Sequence, residues 1–391
     1  MKIDKVAIKN FKSLRDIKLD LGNLTLITGI NSVGKSSFIQ ALLLLKQNEN
    51  IIEQTISLES IKRIMEKEKL NDKIKNFIKN NIHTIILNNE NGYVELGNYA
   101  DTLYQDSVTD EISISLDNNE KYFKVSYNSD LNINVEDSSP NRRYHFNLFN
   151  QNFQYICTDR ISPNITYPLS EIEIKKNLIG FQGEYTAHYL TINRHKKLDI
   201  ENLRHQNSQT NRLFENVSLW LGEISSGIDM STKIYSELQR VSLTYSYTYG
   251  ENTTNEFTPL NIGFGVTYVL PIIVAILKAK PNDLLIIENP ESHLHPAGQS
   301  KIAELCAIAS ANGVQIIVET HSDHFLNGIR VATKKGLLTP EQSKIYYFRK
   351  DKDELETKID EINIDKEGGI DNYPKGFFDQ FDDDLDELLG L

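Results

Sequence analysis

Cysteine is scarce in this chain, which limits the kinds of site that the chain can build. The two cysteines among 391 residues, Cys157 and Cys306, lie far apart and form no Cys-x-x-Cys pair. Disulfide frameworks and zinc knuckles need several cysteines at short spacings, so the sequence predicts neither. A reducing cytosol is the simplest setting, and we expect a cytoplasmic protein.

Long apolar runs are missing as well. The longest, Val266–Leu277, contains Pro271 and is too short to span a bilayer. The first residues, Met1–Lys5, carry charged side chains and lack the apolar core of a signal peptide. We therefore expect a soluble chain with no membrane partner.

Positive charge is scarce near the C-terminus. Residues 351–391 contain 15 Asp and Glu against four Lys and no Arg, which accounts for −11 of the net charge of −12. The remaining body is nearly neutral and neither demands nor excludes nucleic acid, whereas the acidic tail would repel DNA. Within the tail, we expect Tyr373-Pro374 and Phe377-Phe378 to dock on the core while residues 382–387 stay solvated.

The strongest motif lies near the N-terminus, where an apolar strand gives way to a glycine-containing loop and then to an apolar helix over 36–47. The loop fits G-x-x-x-x-G-K-[ST], in which backbone N–H groups cradle phosphates, a lysine reaches the β/γ-phosphates and a hydroxyl holds Mg²⁺. The positive end of the helix also favours a polyanion. We expect ATP and Mg²⁺ as cofactors. The predicted nucleotide-binding residues here are Gly29, Asn31, Ser32, Val33, Gly34, Lys35, Ser36 and Ser37.

Apolar periodicity predicts the elements around this motif. Two antiparallel strands are expected over residues 2–10 and 17–21, and an amphipathic helix or helix pair over 57–80. Period-two runs predict a β-rich lobe from about 83 to 157. Its strands are expected at 85–87, 93–96, 112–116, 122–127, 133–135 and 144–148. We interpret the basic cluster over 194–212 as a solvated face, with a DNA or partner contact as the alternative.

Two later strands end in polar residues suited to nucleotide chemistry. The buried run 284–287 ends in Glu288, where a Walker B strand would deliver a carboxylate toward Mg²⁺. The apolar run 314–318 leads into Glu319-Thr320-His321, and a neutral imidazole at a strand tip suits a γ-phosphate sensor. Upstream, two glycines before a buried helix predict a second anion-binding turn. The predicted residues of this turn are Gly263, Gly265 and Thr267.

These segments together resemble the ABC-type ATPases of the SMC and recombination-repair class, and within them the OLD-like or AAA15-like heads. The resemblance rests on Asn10–Leu14, the P-loop, Gly263–Thr267 as a divergent signature motif, Glu288–Pro296 and Thr320–Ser322. The tail is similar to a C-terminal domain of unknown function that accompanies this branch. Several such ATPases belong to bacterial anti-phage systems such as Septu.

The resemblance implies an α/β fold, an ABC-type P-loop ATPase head with a mixed sheet, an antiparallel β-layer and an inserted β-rich and helical lobe. The expected divisions are the first half of the core (1–50), the inserted lobe (51–255), the second half of the core (256–350) and the acidic segment (351–391). ATP would be sandwiched in a homodimer or higher homo-oligomer. An effector protein, a nuclease or toxin, is the expected partner, and DNA is a further candidate. Gln105 would join Ser36 and Glu288 around Mg²⁺.

One departure from the ABC pattern concerns hydrolysis. Most such heads have a glutamate after the Walker B acid, but this chain has Asn289, whose amide cannot accept a proton. We therefore expect slow hydrolysis, with Glu291 as the nearest replacement base and His321 orienting the γ-phosphate or the attacking water.

Two other functions remain open. The histidines 293, 295, 321 and 324, with Glu288, Glu291 and Glu319, could form a metal centre that hydrolyses phosphodiesters. A scaffold that binds ATP without hydrolysing it is the second alternative, and Asn289 is the residue that keeps it open.

Overall fold

The computed structural model describes residues 1–67, 83–90, 92–138, 146–352, 354–374 and 376–389, with the backbone alone for 59–67 and 380–383. No described helix is long and apolar enough to cross a membrane. By their contacts, the residues form two compact units. The first unit contains residues 1–21, 31–150 and 348–359, and the second contains 22–30, 151–347 and 360–391.

The strands are, in chain order, β1 (Lys5–Phe11), β2 (Leu14–Asp20), β3 (Leu24–Gly29), β4 (Ile112–Asn118), β5 (Lys121–Tyr127), β6 (Ile133–Asp137), β7 (Gln154–Ile156), β8 (Thr166–Pro168), β9 (Ile228–Tyr235), β10 (Arg240–Tyr249), β11 (Asn252–Thr253), β12 (Leu284–Glu288), β13 (Gln315–Glu319), β14 (Ser343–Arg349) and β15 (Lys358–Ile362).

The α-helices are α1 (Lys35–Gln47), α2 (Glu49–Lys67), α3 (Tyr99–Thr102), α4 (Glu171–Lys175), α5 (Thr186–Ile192), α6 (Leu213–Gly222), α7 (Phe264–Leu277), α8 (Pro296–Ala311), α9 (Asp323–Lys334) and α10 (Gln380–Leu389). Short 3₁₀ turns lie at Asn147–Phe149, Glu201–Leu203, Ser236–Leu238, Pro259–Asn261 and Pro340–Gln342.

The first unit is built on an antiparallel sheet in the order β2-β1-β4-β5-β6. Ile8 pairs with Ile17 on one side and with Ile114 on the other, and alternate residues of these strands are buried. The N-terminal hairpin confirms the two predicted strands. Strands β4 to β6 extend the same sheet, because the free edge of β1 pairs with β4.

Two predicted strands of the first unit, at 85–87 and 93–96, do not form, and isolated bridges join Thr84 to Asn132 and Asn88 to Glu95 instead. The Asn48 side chain, and not a strand, pairs with the backbone of Ile86 in the first of these segments. Its Oδ1 accepts from the Ile86 N–H at 2.7 Å, and its Nδ2 donates to the Ile86 carbonyl at 3.0 Å. A side chain thus satisfies backbone groups that a neighbouring strand would otherwise pair. Residues 147–149 form a 3₁₀ turn where a strand was predicted. The predicted helix residues 68–80 and strand residues 144–145 lie outside the described residues.

The second unit is organised around a sheet in the order β15-β14-β3-β13-β12-β7, with residues 343–347 and 360–362 of its first two strands in this unit. Strands β3, β13, β12 and β7 are parallel. In the register, Ile27, Glu319 and Glu288 align across three strands. Since parallel strands end at one edge, the residues that follow β3, β13 and β12 begin from the same edge of the sheet.

The second unit also contains an antiparallel sheet in the order β11-β10-β8, with β9 paired to β10. Helix α7 is buried along most of its length, and it belongs to one continuous apolar core with α5, α6, α8 and the parallel strands. The buried-strand and buried-helix predictions for 284–288, 314–318 and the segment after Gly265 are confirmed.

Part of the basic cluster over 194–212 is structural. The Arg194 guanidinium stacks 4.2 Å above the Phe214 ring, and His205, which is 5% exposed, lies 3.1 Å from Glu223. These contacts tie basic side chains to the second unit, so the whole cluster is not one free surface for DNA.

In the tail, Phe377 is buried and packs edge-on against Tyr347 at 5.4 Å. The predicted docking of this aromatic is confirmed. Tyr373 is 62% exposed, and its ring lies edge-on to Phe377 with the centroids 6.1 Å apart. Residues 384–387 lie exposed on α10, which agrees with the predicted solvated segment.

Candidate functional site

The P-loop turns through left-handed backbone before α1. Gly29 ends β3 at φ 141°, Ser32 has φ 64°, and Gly34 has φ 105° at the N-cap of α1. A Cβ on Gly34 would lie 2.5 Å from Thr357 Oγ1 and 2.7 Å from Ser13 Oγ. Torsion and crowding both therefore require glycine at position 34.

The first turn of α1 is arranged to receive an anion. Its N-cap, Gly34, has no side chain with which to cap the helix, and no acidic residue lies in the first turn. The first helical residue, Lys35, is 3% exposed, while Asn31, Ser32 and Ser36 are exposed. By contrast, the Ser322 hydroxyl caps α9 by accepting from the Phe325 N–H at 2.9 Å. An uncapped helix start with a lysine fits the phosphates of ATP.

The other P-loop residues frame this turn. Val33 is buried, Ser37 is half-buried and the exposed Ile30 precedes the loop. Gly29 belongs to the second unit, and residues 31–37 belong to the first.

The carboxylate of Glu288 stands at the end of β12, next to the polar residues that follow β7. Thr158 donates to its Oε2 from the backbone N–H at 3.3 Å and from the hydroxyl at 3.2 Å. Burial raises the pKa of the Glu288 carboxyl above its usual value, although these hydrogen bonds act in the opposite direction. A buried acid whose charge is disfavoured gains from a nearby cation, so Glu288 fits a Mg²⁺ ligand.

The residue after Glu288 adopts a left-handed conformation. Asn289 has φ 44°, and its N–H donates to the Glu319 carbonyl at 2.8 Å. Asparagine tolerates this region better than most side chains, which suits the sharp turn that ends β12.

Arg160 clamps this turn through three main-chain carbonyls. Its guanidinium donates to Cys157 at 3.0 Å, to Glu288 at 2.9 Å and to Asn289 at 2.6 Å. The side chain is 3% exposed, and the guanidinium carbon lies 5.7 Å from the centre of the Tyr268 ring on α7. Arg160 thus connects the Walker B turn to α7, the helix that begins at the two predicted signature glycines.

Glu291 joins the Walker B turn to the tip of β13. One carboxylate oxygen accepts from the His321 N–H at 2.8 Å, and the other accepts from the Thr320 hydroxyl at 2.7 Å. The structure therefore brings Glu288, Asn289, Glu291 and His321 together at one edge of the second unit. The His321 side chain is exposed there.

The predicted signature turn lies at the start of α7. Gly263 is its N-cap, and among the residues that the structure describes a Cβ there would meet nothing within 4 Å. A Cβ on Gly265 would lie 2.4 Å from the His293 carbonyl oxygen, so Gly265 is needed where α7 packs on the Walker B loop. Thr267 is 4% exposed and faces the interior, away from solvent. Phe264 is 53% exposed.

Gln105 lies in an exposed turn of the first unit. Just before it, Leu103 bridges to Phe11, and the Tyr104 N–H donates to the Asn10 carbonyl at 2.9 Å. This places Gln105 near the end of β1, and its role as a Mg²⁺ ligand stays a prediction.

The histidines suggested for a nuclease metal centre make other contacts. His293 packs 4.9 Å from the Tyr268 ring, and His295 Nδ1 accepts the Ala297 N–H at the start of α8. Within the described ranges, no group of three or more His, Cys, Asp or Glu side chains could hold a metal ion.

Two residues of the site were missed from the sequence, Thr158 and Arg160. The available signal was the short segment Gln154-Tyr155-Ile156, whose last two residues are apolar, followed after Cys157 by the polar residues Thr158, Asp159 and Arg160. Three residues were too few to single out as a strand of the parallel sheet.

Residues 24–327 match the protein family described as "AAA domain, putative AbiEii toxin, Type IV TA system". This match covers well over half of the 391 residues. The chain belongs to this family. Residues 338–388 also match the family described as "Protein of unknown function (DUF3696)". No curated protein matches the chain.

Solved structures similar to this chain include two SMC heads. An SMC head bound to the C-winged helix domain of ScpA matches with a TM-score of 0.56 and 13% identity, over 94% of this chain and 99% of that chain. The Pyrococcus furiosus Smc head with an extended coiled coil, bound to the C-terminal domain of ScpA, matches with a TM-score of 0.52 and 12% identity, over 99% of both chains.

These similarities confirm the predicted fold, a P-loop ATPase head of the SMC or ABC-like kind with mixed and antiparallel sheets. The chain thus belongs to a P-loop ATPase family. Membership of an OLD-like or AAA15-like branch and similarity to Septu stay predictions.

Proposed function

We propose that this chain binds Mg-ATP, hydrolyses it slowly, dimerises around it and thereby controls an effector protein. The observation that carries the proposal is the P-loop: an uncapped helix start, a left-handed Gly34 and a buried Lys35, in a chain of an ATPase family. Backbone amides and one lysine at this point favour a bound polyphosphate over any uncharged ligand.

The Mg²⁺ ion would be held by residues of the P-loop and of the Walker B strand. Ser36 and Glu288 are the proposed Mg²⁺ ligands, and Gln105 is a further candidate. Bound Mg²⁺ would neutralise charge on the β- and γ-phosphates. Lys35 and the α1 amides would orient the phosphates, with Gly29 and Asn31 to Ser37 forming the wall of the loop.

For the chemical step, Glu291 is the proposed general base. Each of its oxygens accepts one hydrogen bond, which leaves each oxygen a second lone pair for the proton of a water. Asn289 cannot take that proton. If Glu291 is too poorly placed to act as the base, hydrolysis should be roughly 10²- to 10⁴-fold slower than with general-base catalysis. The His321 backbone N–H donates to Glu291, and the His321 imidazole would orient the γ-phosphate or the water.

Dimerisation is proposed through the turn that contains Gly263 and Gly265. The exposed Phe264 and the open space around Gly263 support a surface that a second copy covers. A higher homo-oligomer built from such pairs is compatible with this interface. The divisions 1–50, 51–255, 256–350 and 351–391 are kept as the proposed domain plan.

The family description, which names a toxin and a type IV toxin–antitoxin system, supports a role in anti-phage defence or DNA surveillance. The structurally similar SMC heads are bound to domains of ScpA, which supports an ATPase head that works through a partner protein. We propose a nuclease or toxin as that partner, with DNA as a second candidate, in the cytoplasm.

A non-hydrolysing scaffold is the second candidate, because Asn289 occupies the usual position of the base. Phosphate release by the purified chain, measured with Mg²⁺ or EDTA and with or without DNA, separates the two. Slow Mg²⁺-dependent release supports the ATPase. ATP binding without release supports the scaffold, and the absence of binding rejects both.

A further inference from the structure

A residue from the C-terminal part of the chain contacts the P-loop within the first unit. Thr357 Oγ1 lies 2.7 Å from the Val33 carbonyl oxygen and 2.8 Å from the Ser13 hydroxyl, and the Thr357 N–H donates to the Ser13 carbonyl at 2.9 Å. A hydroxyl has one hydrogen, so Thr357 donates to Val33 and accepts from Ser13. Thr357 is 4% exposed.

This hydroxyl lies where the loop is tightest. It is the nearest atom, at 2.5 Å, to the position of a Cβ on Gly34, the left-handed residue before Lys35. The N–H groups of a P-loop are directed toward phosphates, so its carbonyl groups need donors from elsewhere. Thr357 supplies the donor for Val33.

A second contact from the same segment lies on the other side of Lys35. Phe348 is fully buried and packs edge-on against Phe38 of α1, with ring centroids 6.4 Å apart. Residues 348–359 thus touch the loop before Lys35 and the helix after it.

The segment between these two contacts is held by ion pairs. Arg349 and Lys358 both reach Asp351, at 2.7 and 3.8 Å, and Arg15 lies 3.4 Å from Glu356. Such exposed pairs contribute little stability individually, so the two buried contacts carry most of the attachment.

We propose that residues 348–359 brace the P-loop, with Thr357 as the positioning residue, so that ATP binding and the order of this segment depend on each other. The inference rests on the proposed function, since ATP at the P-loop is the ligand. It gives residues 348–359, which lie within the stretch 338–388 that matches a family of unknown function, a role in responding to the occupancy of the P-loop. Linkage makes such coupling reciprocal, so whatever binds the C-terminal segment also changes ATP affinity.

The test compares Thr357→Val, which keeps the shape but removes the hydroxyl, with Thr357→Ser, which keeps the hydroxyl. Calorimetry with ATP should show about tenfold weaker binding for Thr357→Val, the effect of one neutral hydrogen bond, and near wild-type binding for Thr357→Ser. Turnover at saturating ATP should be similar in all three proteins, because Thr357 does not touch the reacting atoms.

A second measurement uses the wild type alone. Hydrogen exchange of peptides covering 348–359 should slow when ATP is added, and this slowing should be smaller in Thr357→Val. A wild type that binds no ATP overturns the proposed function. A wild type that binds ATP while Thr357→Val binds equally well, or while exchange over 348–359 is unchanged, overturns the brace alone.

Discussion

The P-loop and the Walker B turn both bend through left-handed backbone, but different interactions hold them. At the P-loop the left-handed torsions fall on Gly29, Ser32 and Gly34, and two of these are glycines. At the Walker B turn they fall on Asn289 and His293, at φ 44° and 64°. A non-glycine residue is disfavoured there by about 1–2 kcal/mol, which glycine avoids.

The cost of the left-handed torsions in the Walker B turn is offset by contacts with residues remote in sequence. Arg160 donates to the main-chain carbonyls of Glu288 and Asn289, and the Glu291 carboxylate accepts from the Thr320 hydroxyl and the His321 backbone N–H. The left-handed torsions of the P-loop thus fall mainly on glycines of its own motif, and Thr357 adds one remote contact through the Val33 carbonyl. The left-handed residues of the Walker B turn are not glycines, so this turn depends more on tertiary contacts. Substitutions in the two places should fail differently: one in binding, the other in turnover.

The largest expected effect comes from Lys35→Ala, which removes the buried cation of the P-loop. The wild type should gain about 2.7 kcal/mol of stability at about a hundredfold excess of Mg-ATP over Kd, because ligand binds only the folded form. Lys35→Ala should gain nothing. Thermal melting with and without Mg-ATP measures the difference.

Lys46→Ala is the matched control, since Lys46 lies in the last turn of the same helix and pairs with Glu49 at 2.8 Å. It should keep the full gain. Equal gains in Lys35→Ala and the wild type would show that nucleotide binding does not depend on the P-loop.

The features that the sequence predicted correctly are those set by local sequence, and the features that it missed depend on contacts between distant segments. The P-loop, the N-terminal hairpin, β12 and β13 rest on local periodicity and on glycines within a few residues, and they were predicted correctly. The strands expected at 85–87 and 93–96 were wrong, because whether an extended segment joins a sheet depends on a partner. Asn48, some 38 residues away, supplies that partner for Ile86.

The Arg160 clamp shows the same limit for the site. It joins residues 128 positions apart, and no motif contains both ends. The space around Gly265 could not be read either, since it depends on how α7 packs against the His293 carbonyl. What periodicity cannot supply is the identity of contacts between distant segments.

The next largest effect is expected for Glu291→Gln, which tests whether this carboxylate is the base or only a tie. Glutamine can keep both hydrogen bonds, because its carbonyl accepts from the His321 N–H and its amide donates to the Thr320 hydroxyl. If Glu291 is the base, single-turnover hydrolysis should fall roughly 10²- to 10⁴-fold with ATP still bound. Unchanged single-turnover rates would assign Glu291 to positioning alone.

Asn289→Glu is the companion variant. Restoring the usual acid should raise turnover or leave it unchanged. The added base favours a rise, and the left-handed torsion at this position, which glutamate tolerates less well than asparagine, limits it. A fall in turnover with normal folding would mean that the turn needs the asparagine amide itself.

A smaller effect is expected for Arg160→Lys, which breaks the clamp while keeping the charge. An ammonium cannot match a guanidinium fork that reaches three carbonyls, so the left-handed turn should loosen. Turnover should fall about tenfold to a hundredfold, while Kd for ATP should stay within about twofold, since the P-loop retains its own geometry. Equal losses of binding and turnover would contradict the separation between the two turns.

The smallest effect, about tenfold in dimer affinity, is expected for Gly263→Asp, which places a charge on the proposed dimer surface. Aspartate is a favoured N-cap, and a Cβ at Gly263 meets open space, so α7 should be undisturbed. Gly265→Asp would confuse the test, because its Cβ would strike the His293 carbonyl at 2.4 Å. Sedimentation with Mg-ATP measures the association.

Gly263→Asn is the matched control for this variant. Asparagine has the same shape and caps helices equally well, but it carries no charge to repel the phosphates of the opposing site. Gly263→Asn should therefore associate like the wild type and Gly263→Asp should not, while both bind ATP as monomers. If the two variants associate equally, the charge at the start of α7 does not face a nucleotide, and the dimer surface lies elsewhere. If the wild type is already dimeric without ATP, the same comparison is made on the nucleotide-dependent increase in sedimentation coefficient.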